Sequence, residues 1–187
     1  YSIIDDSGNA VSVTYTLGYS FGSGVTIEGT GILGNNQMNN FAHEYGNNSY
    51  RRSASPANKL ESLKRPMSTM APIMVFNGDG KLALITGSPG GSQIPNINLQ
   101  LLVNVLDFNL DIGEATMLPR IHQDSQEPEL LVEKTVNFDT RRLLEVLGHN
   151  VEISDTIGST QSIHIVDGVR YGYADLRRPN AKVSIKK

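Results

Sequence analysis

Hydrophobic positions in this chain fall mostly in short runs bounded by turn residues, with one long apolar stretch near the middle. Ser2 to Asp5 and Ala10 to Leu17 flank Asp6-Ser7-Gly8-Asn9, which is a hairpin signal. In the second arm Val11, Val13 and Tyr15 alternate with Ser12, Thr14 and Thr16. The spacing predicts one apolar face on the core and one face of hydroxyls. A second hairpin is expected where Ile73 to Phe76 and Lys81 to Thr86 flank Asn77-Gly78-Asp79-Gly80. Gln93 to Phe108 reads as a helix with Pro95 in its first turn. It is apolar on most sides (Ile94, Ile97, Leu101, Leu102, Val105, Leu106), which predicts a sandwiched helix. Asp111 to Met117 reads as another, with Asp111 as N-cap and Pro119 as its stop.

Further on, Leu130 to Glu133 is a short strand, and Asp139 to Leu147 an amphipathic helix closed by Gly148. Val151 to Ser154, Ser162 to Val166 and Val169 to Ala174 are strands, the last two joined by Asp167-Gly168. Asp175 and Arg177 are expected to pair, and the residues beyond Arg178 read as a solvated basic tail. Gly18 to Gly34 is Gly-rich and irregular, and five of the six residues 35–40 are amides, which argues against core. His43 to Lys64 is polar and reads as a surface loop or lid, with a short helix near Ala57 to Lys64. Hairpins dominate, so the fold class is α+β with largely antiparallel sheets. A four-layer αββα sandwich or a two-layer α+β fold would each cover the central helices.

Composition narrows the chemistry. The 187 residues suit one compact domain, and 39% hydrophobic with 19% charged residues suits a packed core. A net charge of −3 offers no electrostatic case for nucleic acid. With no cysteine, disulfides, thiolate catalysis and Cys-based metal sites drop out. No apolar run reaches the length of a membrane span. His43, His122, His149 and His164 show no ligand spacing, so no metal or other cofactor is expected; His122 reads as a structural residue near a subunit interface. Asn47-Asn48-Ser49 fits a glycosylation acceptor, a pattern too common to weigh. The chain opens at Tyr1 directly in strand-like sequence, so further residues or a cleavage point are expected ahead of it.

The stretch that carries chemistry is Thr86-Gly87-Ser88-Pro89-Gly90-Gly91-Ser92, between a buried strand and the long helix. A strand entering a helix through glycines presents backbone N–H groups to an anion or a developing oxyanion. The competing reading is a tight turn without a ligand. The segment lacks the Lys-Ser/Thr ending of a phosphate loop.

Six motifs occur in one order. They are Asp5 through Asn9 with the strand to Thr16-Leu17; Gly31-Ile32-Leu33 followed by Asn35-Asn36-Gln37-Met38; and Arg65-Pro66-Met67-Ser68-Thr69-Met70. The others are Gly87 to Ser92, Pro119-Arg120 and Gly158-Ser159-Thr160-Gln161-Ser162. In this combination the chain resembles the small subunit of gamma-glutamyltranspeptidases, members of the N-terminal nucleophile hydrolase superfamily, from Tyr1 to about Arg178. The resemblance implies the αββα fold and a precursor that cuts itself, residues 1–187 forming one compact domain that shares its core with a large subunit. It implies a threonine nucleophile three residues before Tyr1, with its own α-amine as general base.

Thr16 then matches the threonine that supports the nucleophile, and Gly90 and Gly91 match the oxyanion-hole pair. Ser68 and Thr69 match the hydroxyl pair that binds the donor's α-carboxylate, where the family usually has two serines; a capped turn after Pro66 is the plainer account. Gln37 matches a residue near the donor's α-amine.

Four departures stand out. Asn40 replaces an aspartate that pairs with the substrate ammonium, and Gly18 replaces an asparagine that reaches the same amine. Residues 43–64 depart from the usual lid composition, and Gln93 stands where an arginine is common. The resemblance thus implies amide-bond hydrolysis or acyl transfer with altered donor selection: gamma-glutamyl amides such as glutathione, or acyl amides without a free α-amine, as in the family's acylase relatives. It also implies a periplasmic or secreted location. The alternative is a degenerate paralogue acting as a structural or binding subunit, decided by the residue three places before Tyr1.

Overall fold

The computed structural model describes residues 1–42, 55–124 and 127–185. The loop expected as a lid lies largely outside them, as do His43 and Asn47-Asn48-Ser49. The described chain divides into two compact units, residues 1–14 with 70–187 and residues 15–69.

In the first unit, β1 (Ser2–Ile4) and β2 (Ala10–Ser12) form the expected hairpin. The second strand stops at Ser12 rather than Leu17. Its expected facing is reversed: Ile3 and Val11 are exposed, whereas Ser2 Oγ donates to the Gln161 carbonyl at 2.7 Å and Ser12 Oγ to the Thr86 carbonyl at 2.9 Å. Alternation sets the period, but here the inward face is the one whose hydroxyls satisfy strand-end carbonyls.

β5 (Ile73–Phe76) and β6 (Leu82–Thr86) form the second hairpin. With β10 (Gln161–Val166) and β11 (Val169–Ala174) they make an antiparallel sheet in the order β11-β10-β6-β5. Asp167-Gly168 turns the last pair, both residues at positive φ. Helices α1 (Ile94–Leu106) and α2 (Ile112–Met117) pack on this sheet: Leu84, Leu101, Val105, Ile112 and Ala115 form the core, flanked by Val75, Leu102, Leu110 and Tyr173. Asp111 caps α2 as expected, accepting from the Gly113 and Glu114 N–H groups at 2.7 and 2.9 Å.

Within this chain α1 is buried on one face only. Leu99 and Leu106 are exposed, and the polar Asn98 is buried among Ile94, Ile97 and Leu101, its Nδ2 donating to the Ala71 carbonyl at 2.7 Å.

A second sheet joins β7 (Ile121–His122), a strand too short to read from sequence, to β8 (Glu129–Glu133) and β9 (Asn150–Ser154). β8 and β9 run parallel, connected by α3 (Phe138–Val146), whose cap is Asn137. This βαβ unit is the one parallel pair among the described strands, and the remainder fit the antiparallel expectation.

The second unit is mostly loop. β3 (Thr26–Ile27) and β4 (Ile32–Leu33) form a small hairpin inside the Gly-rich stretch. Gln37–Asn40 and Pro56–Asn58 are 3-10 turns. The helix expected near Ala57 to Lys64 is absent: only the turn ending at Asn58 forms, because Pro56 starts it and no apolar face follows to bury.

Candidate active site

In the first unit the chemistry centres on the exit of β6. Thr86 Oγ1 shares a buried 2.8 Å hydrogen bond with Ser162 Oγ, and the Gly87 carbonyl accepts from the Gln161 N–H at 3.0 Å. Ser88 is buried; its Oγ donates to the Pro89 carbonyl at 2.7 Å and accepts from the Ser159 N–H at 3.0 Å. The turn between the sheet and α1 is therefore fixed from the Ser159 side.

Gly90 adopts φ 147°, ψ 9°, and a Cβ there would sit 2.8 Å from Ile97 Cδ1. Only glycine fits that backbone and that approach. Gly91–Gln93 then form a 3-10 turn that runs into α1, whose N-terminus carries no side-chain cap and no acidic residue in its first turn. The Gly90 N–H makes no hydrogen bond to another described residue. An uncapped helix start behind a glycine turn is an anion-binding arrangement.

Behind the turn lies an ionic cluster only half read from sequence. Arg120 is 3% exposed and Asp175 fully buried, with a 2.8 Å bond between Nη2 and Oδ2. Arg177 joins Glu133 through two 2.7 Å bonds, from Nε and from Nη2, and meets Asp175 at 3.2 Å, the pair expected from sequence. The arginines also donate to the Ile157, Thr116 and Leu118 carbonyls at 2.7 to 3.1 Å. The carboxylates accept from the N–H groups of Arg120, Ile157, Thr160 and Arg177 at 2.7 to 3.0 Å.

Each carboxylate thus has both a cation and backbone donors, which is what offsets burial of charge. Burial raises the Glu133 carboxyl, but Arg177 and the Ile157 and Arg120 N–H groups outweigh it and hold it below 4.5. Burial lowers Arg120, partly offset by Asp175. Arg177 is raised: burial lowers it, and Glu133 and Asp175 more than compensate. Because Ile157 and Thr160 flank Ser159, the cluster anchors the loop that holds Ser88. Glu133 could have been flagged as a charge closing an apolar strand; nothing in sequence spacing linked it to Arg120.

His122 is buried, and its Nδ1 shares a 2.9 Å hydrogen bond with Asn96 Nδ2. No group of three or more possible metal ligands occurs among the described residues.

The second unit brings together four of the expected site residues, Thr16, Gly18, Gln37 and Asn40. Thr16 Oγ1 accepts from the Gly18 N–H at 2.9 Å, and its hydroxyl hydrogen can still donate. Gln37 Nε2 approaches the Thr16 carbonyl at 3.4 Å, and Gln37 Oε1 accepts from Asn40 Nδ2 at 2.8 Å. Asn40 is 5% exposed. Gly18 sits at φ +95°, where a Cβ would lie 3.2 Å from Asn36 Cβ. Thr69 is buried and Ser68 exposed. Asn58, which no sequence signal singled out, links this group to Met67: its Nδ2 donates to the Asn40 carbonyl at 2.8 Å, and its Oδ1 accepts from the Met67 N–H at 2.9 Å.

The gamma-glutamyltranspeptidase family model matches residues 1–185. The glutathione hydrolase proenzyme of Escherichia coli is 46% identical over 179 residues, covering 95% of this chain and 31% of that protein. The chain thus spans about a third of the length of such curated relatives. The gamma-glutamyltranspeptidase of Pseudomonas nitroreducens superposes with a TM-score of 0.92 at 32% identity, covering 100% of this chain and 98% of that one. That of Helicobacter pylori superposes with a TM-score of 0.90 at 40% identity, over 95% and 98%. The chain has the α+β fold of these N-terminal nucleophile hydrolases and belongs to the gamma-glutamyltranspeptidase family.

Proposed function

We propose that this chain is the small subunit of an amide-bond hydrolase or acyl transferase, released by self-cleavage from a precursor whose larger part forms its partner subunit. The nucleophile is the threonine expected three residues before Tyr1. Its α-amine takes the hydroxyl proton as the oxygen attacks the donor's amide carbonyl. The carbonyl oxygen becomes negative, and the Gly90 and Gly91 N–H groups stabilise it. Collapse of the tetrahedral intermediate expels the amine, which leaves with that proton, and an acyl-enzyme remains. Water or an amine acceptor then releases the acyl group. The observation that carries this reading is the Gly90 turn, a glycine-only backbone with an unengaged N–H at an uncapped helix start. The proenzyme name of the Escherichia coli relative supports the cleavage step.

Donor choice is assigned to the second unit. Ser68 and Thr69 bind an α-carboxylate, while Gln37 and Asn40 face an α-amine, with Thr16 supporting the nucleophile. An asparagine oxygen can accept from an ammonium but cannot neutralise it. Charge-assisted bonds are worth about 1.5–3 kcal/mol against about 1 for neutral ones, so zwitterionic gamma-glutamyl donors bind roughly tenfold more weakly than with aspartate. Acyl donors without a free α-amine, such as glutaryl amides, escape that cost.

The test is kinetic and uses the full-length product. Turnover of gamma-glutamyl and glutaryl anilides is expected, with the ratio of kcat/KM shifted toward the glutaryl donor. Loss of all turnover in a correctly folded, processed protein would favour the reading as a binding subunit.

A further inference from the structure

Asn58 ends the 3-10 turn Pro56–Asn58 in a polar stretch, yet all four of its hydrogen-bonding groups are engaged. Its N–H donates to the Ser55 carbonyl and its carbonyl accepts from the Ala42 N–H, each at 2.9 Å. Its side chain reaches the Asn40 carbonyl at 2.8 Å with Nδ2 and the Met67 N–H at 2.9 Å with Oδ1. A primary amide of this length offers a donor and an acceptor at once; aspartate can only accept here, and leucine does neither. One end of the clamp holds the backbone of Asn40, whose side chain pairs with Gln37. The other holds Met67, which directly precedes Ser68 and Thr69.

We propose that Asn58 is a positioning residue for donor selection. It fixes the separation between the segment assigned to the α-amine and the segment assigned to the α-carboxylate, and so sets how well both charges of one donor are held together. This rests on the donor-pocket reading above. The Asn58 amide touches backbone on both sides, so its influence reaches the donor through Asn40 and through Ser68-Thr69, and appears in KM rather than kcat.

The test uses the processed full-length enzyme and three anilides with the same scissile bond: gamma-glutamyl, glutaryl (no α-amine) and 4-aminobutyryl (no α-carboxylate). Asn58→Leu loses both clamp bonds. It should raise KM for the gamma-glutamyl donor about tenfold relative to the two single-charge donors, with kcat changed less than about threefold. Asn58→Asp keeps the acceptor for Met67 and loses the donor to Asn40. Its KM should rise for the two donors that carry the amine and stay level for the glutaryl donor.

An equal KM change for all three donors, or a loss confined to kcat, would overturn the proposal. Failure of both variants to yield a processed enzyme would make Asn58 a folding residue and overturn it as well. If the wild-type enzyme turns over none of the three, the donor-pocket reading itself falls and this proposal with it.

Discussion

At the scale of single residues, two glycines sit where both the backbone and a close neighbour disfavour a side chain. Gly90 is required by its backbone and by Ile97. Gly90→Ala keeps the N–H but forces the turn to shift. The expected result is a stability loss of about 1–3 kcal/mol and a fall in kcat of about a hundredfold or more, checked by denaturant unfolding and steady-state kinetics. Gly18 also has a positive φ, and the 3.2 Å approach to Asn36 Cβ makes an asparagine there crowded. Restoring the family's residues therefore begins at position 40. Asn40→Asp should lower KM for gamma-glutamyl anilide about tenfold and leave the glutaryl anilide unimproved. Gln37 can meet the new carboxylate by turning its amide, giving up only the 3.4 Å contact with the Thr16 carbonyl. No change in donor ratio would remove position 40 as the determinant.

At the scale of elements, the ionic cluster links the end of α2, β8 and the segment after β11 to the loop that holds Ser88. Glu133→Leu leaves Arg177 without its bidentate partner inside the protein. The expected cost is about 3–5 kcal/mol in unfolding free energy at neutral pH, measured by urea denaturation. The pH dependence has a definite sign. Glu133 is held below its ordinary 4.5 in the folded state, so its contribution is complete above that value and is lost as pH falls through the folded value. Wild-type stability should decline on the acid side, and Glu133→Gln should flatten that decline. An unchanged acid limb would mean that Glu133 is not among the groups setting it.

Elements were largely legible in the sequence where local signals agreed. The β5–β6 and β10–β11 hairpins, the N-cap of α2 and the Gly-closed α3 appear near their expected bounds, because turn chemistry and capping act over a few residues. What escaped were properties fixed by distant partners. The facing of β1 and β2 depends on carbonyls of Gln161 and Thr86. Asn98 is buried through Ala71, and Glu133 through Arg120 and Arg177. The candidate site residues were named through resemblance to the family's motifs; Asn58 was not, since its side chain bonds to two backbone groups remote in sequence.

At the scale of the whole molecule, the chain leaves large apolar side chains on view, among them Ile3, Val11, Leu99, Phe138 and Leu147. Apolar surface of this kind supports a further chain covering it, as the proposed large subunit would. The chain also spans about a third of the length of the curated relatives it matches, and the proposed activity is that of the full-length product. The most direct test of the central claim is the intact mass of the chains made from that full-length product. Two chains are expected, the smaller beginning with a threonine three residues before Tyr1. A single uncut chain, or a small chain that begins with another residue, would contradict the account and leave a binding subunit without its nucleophile.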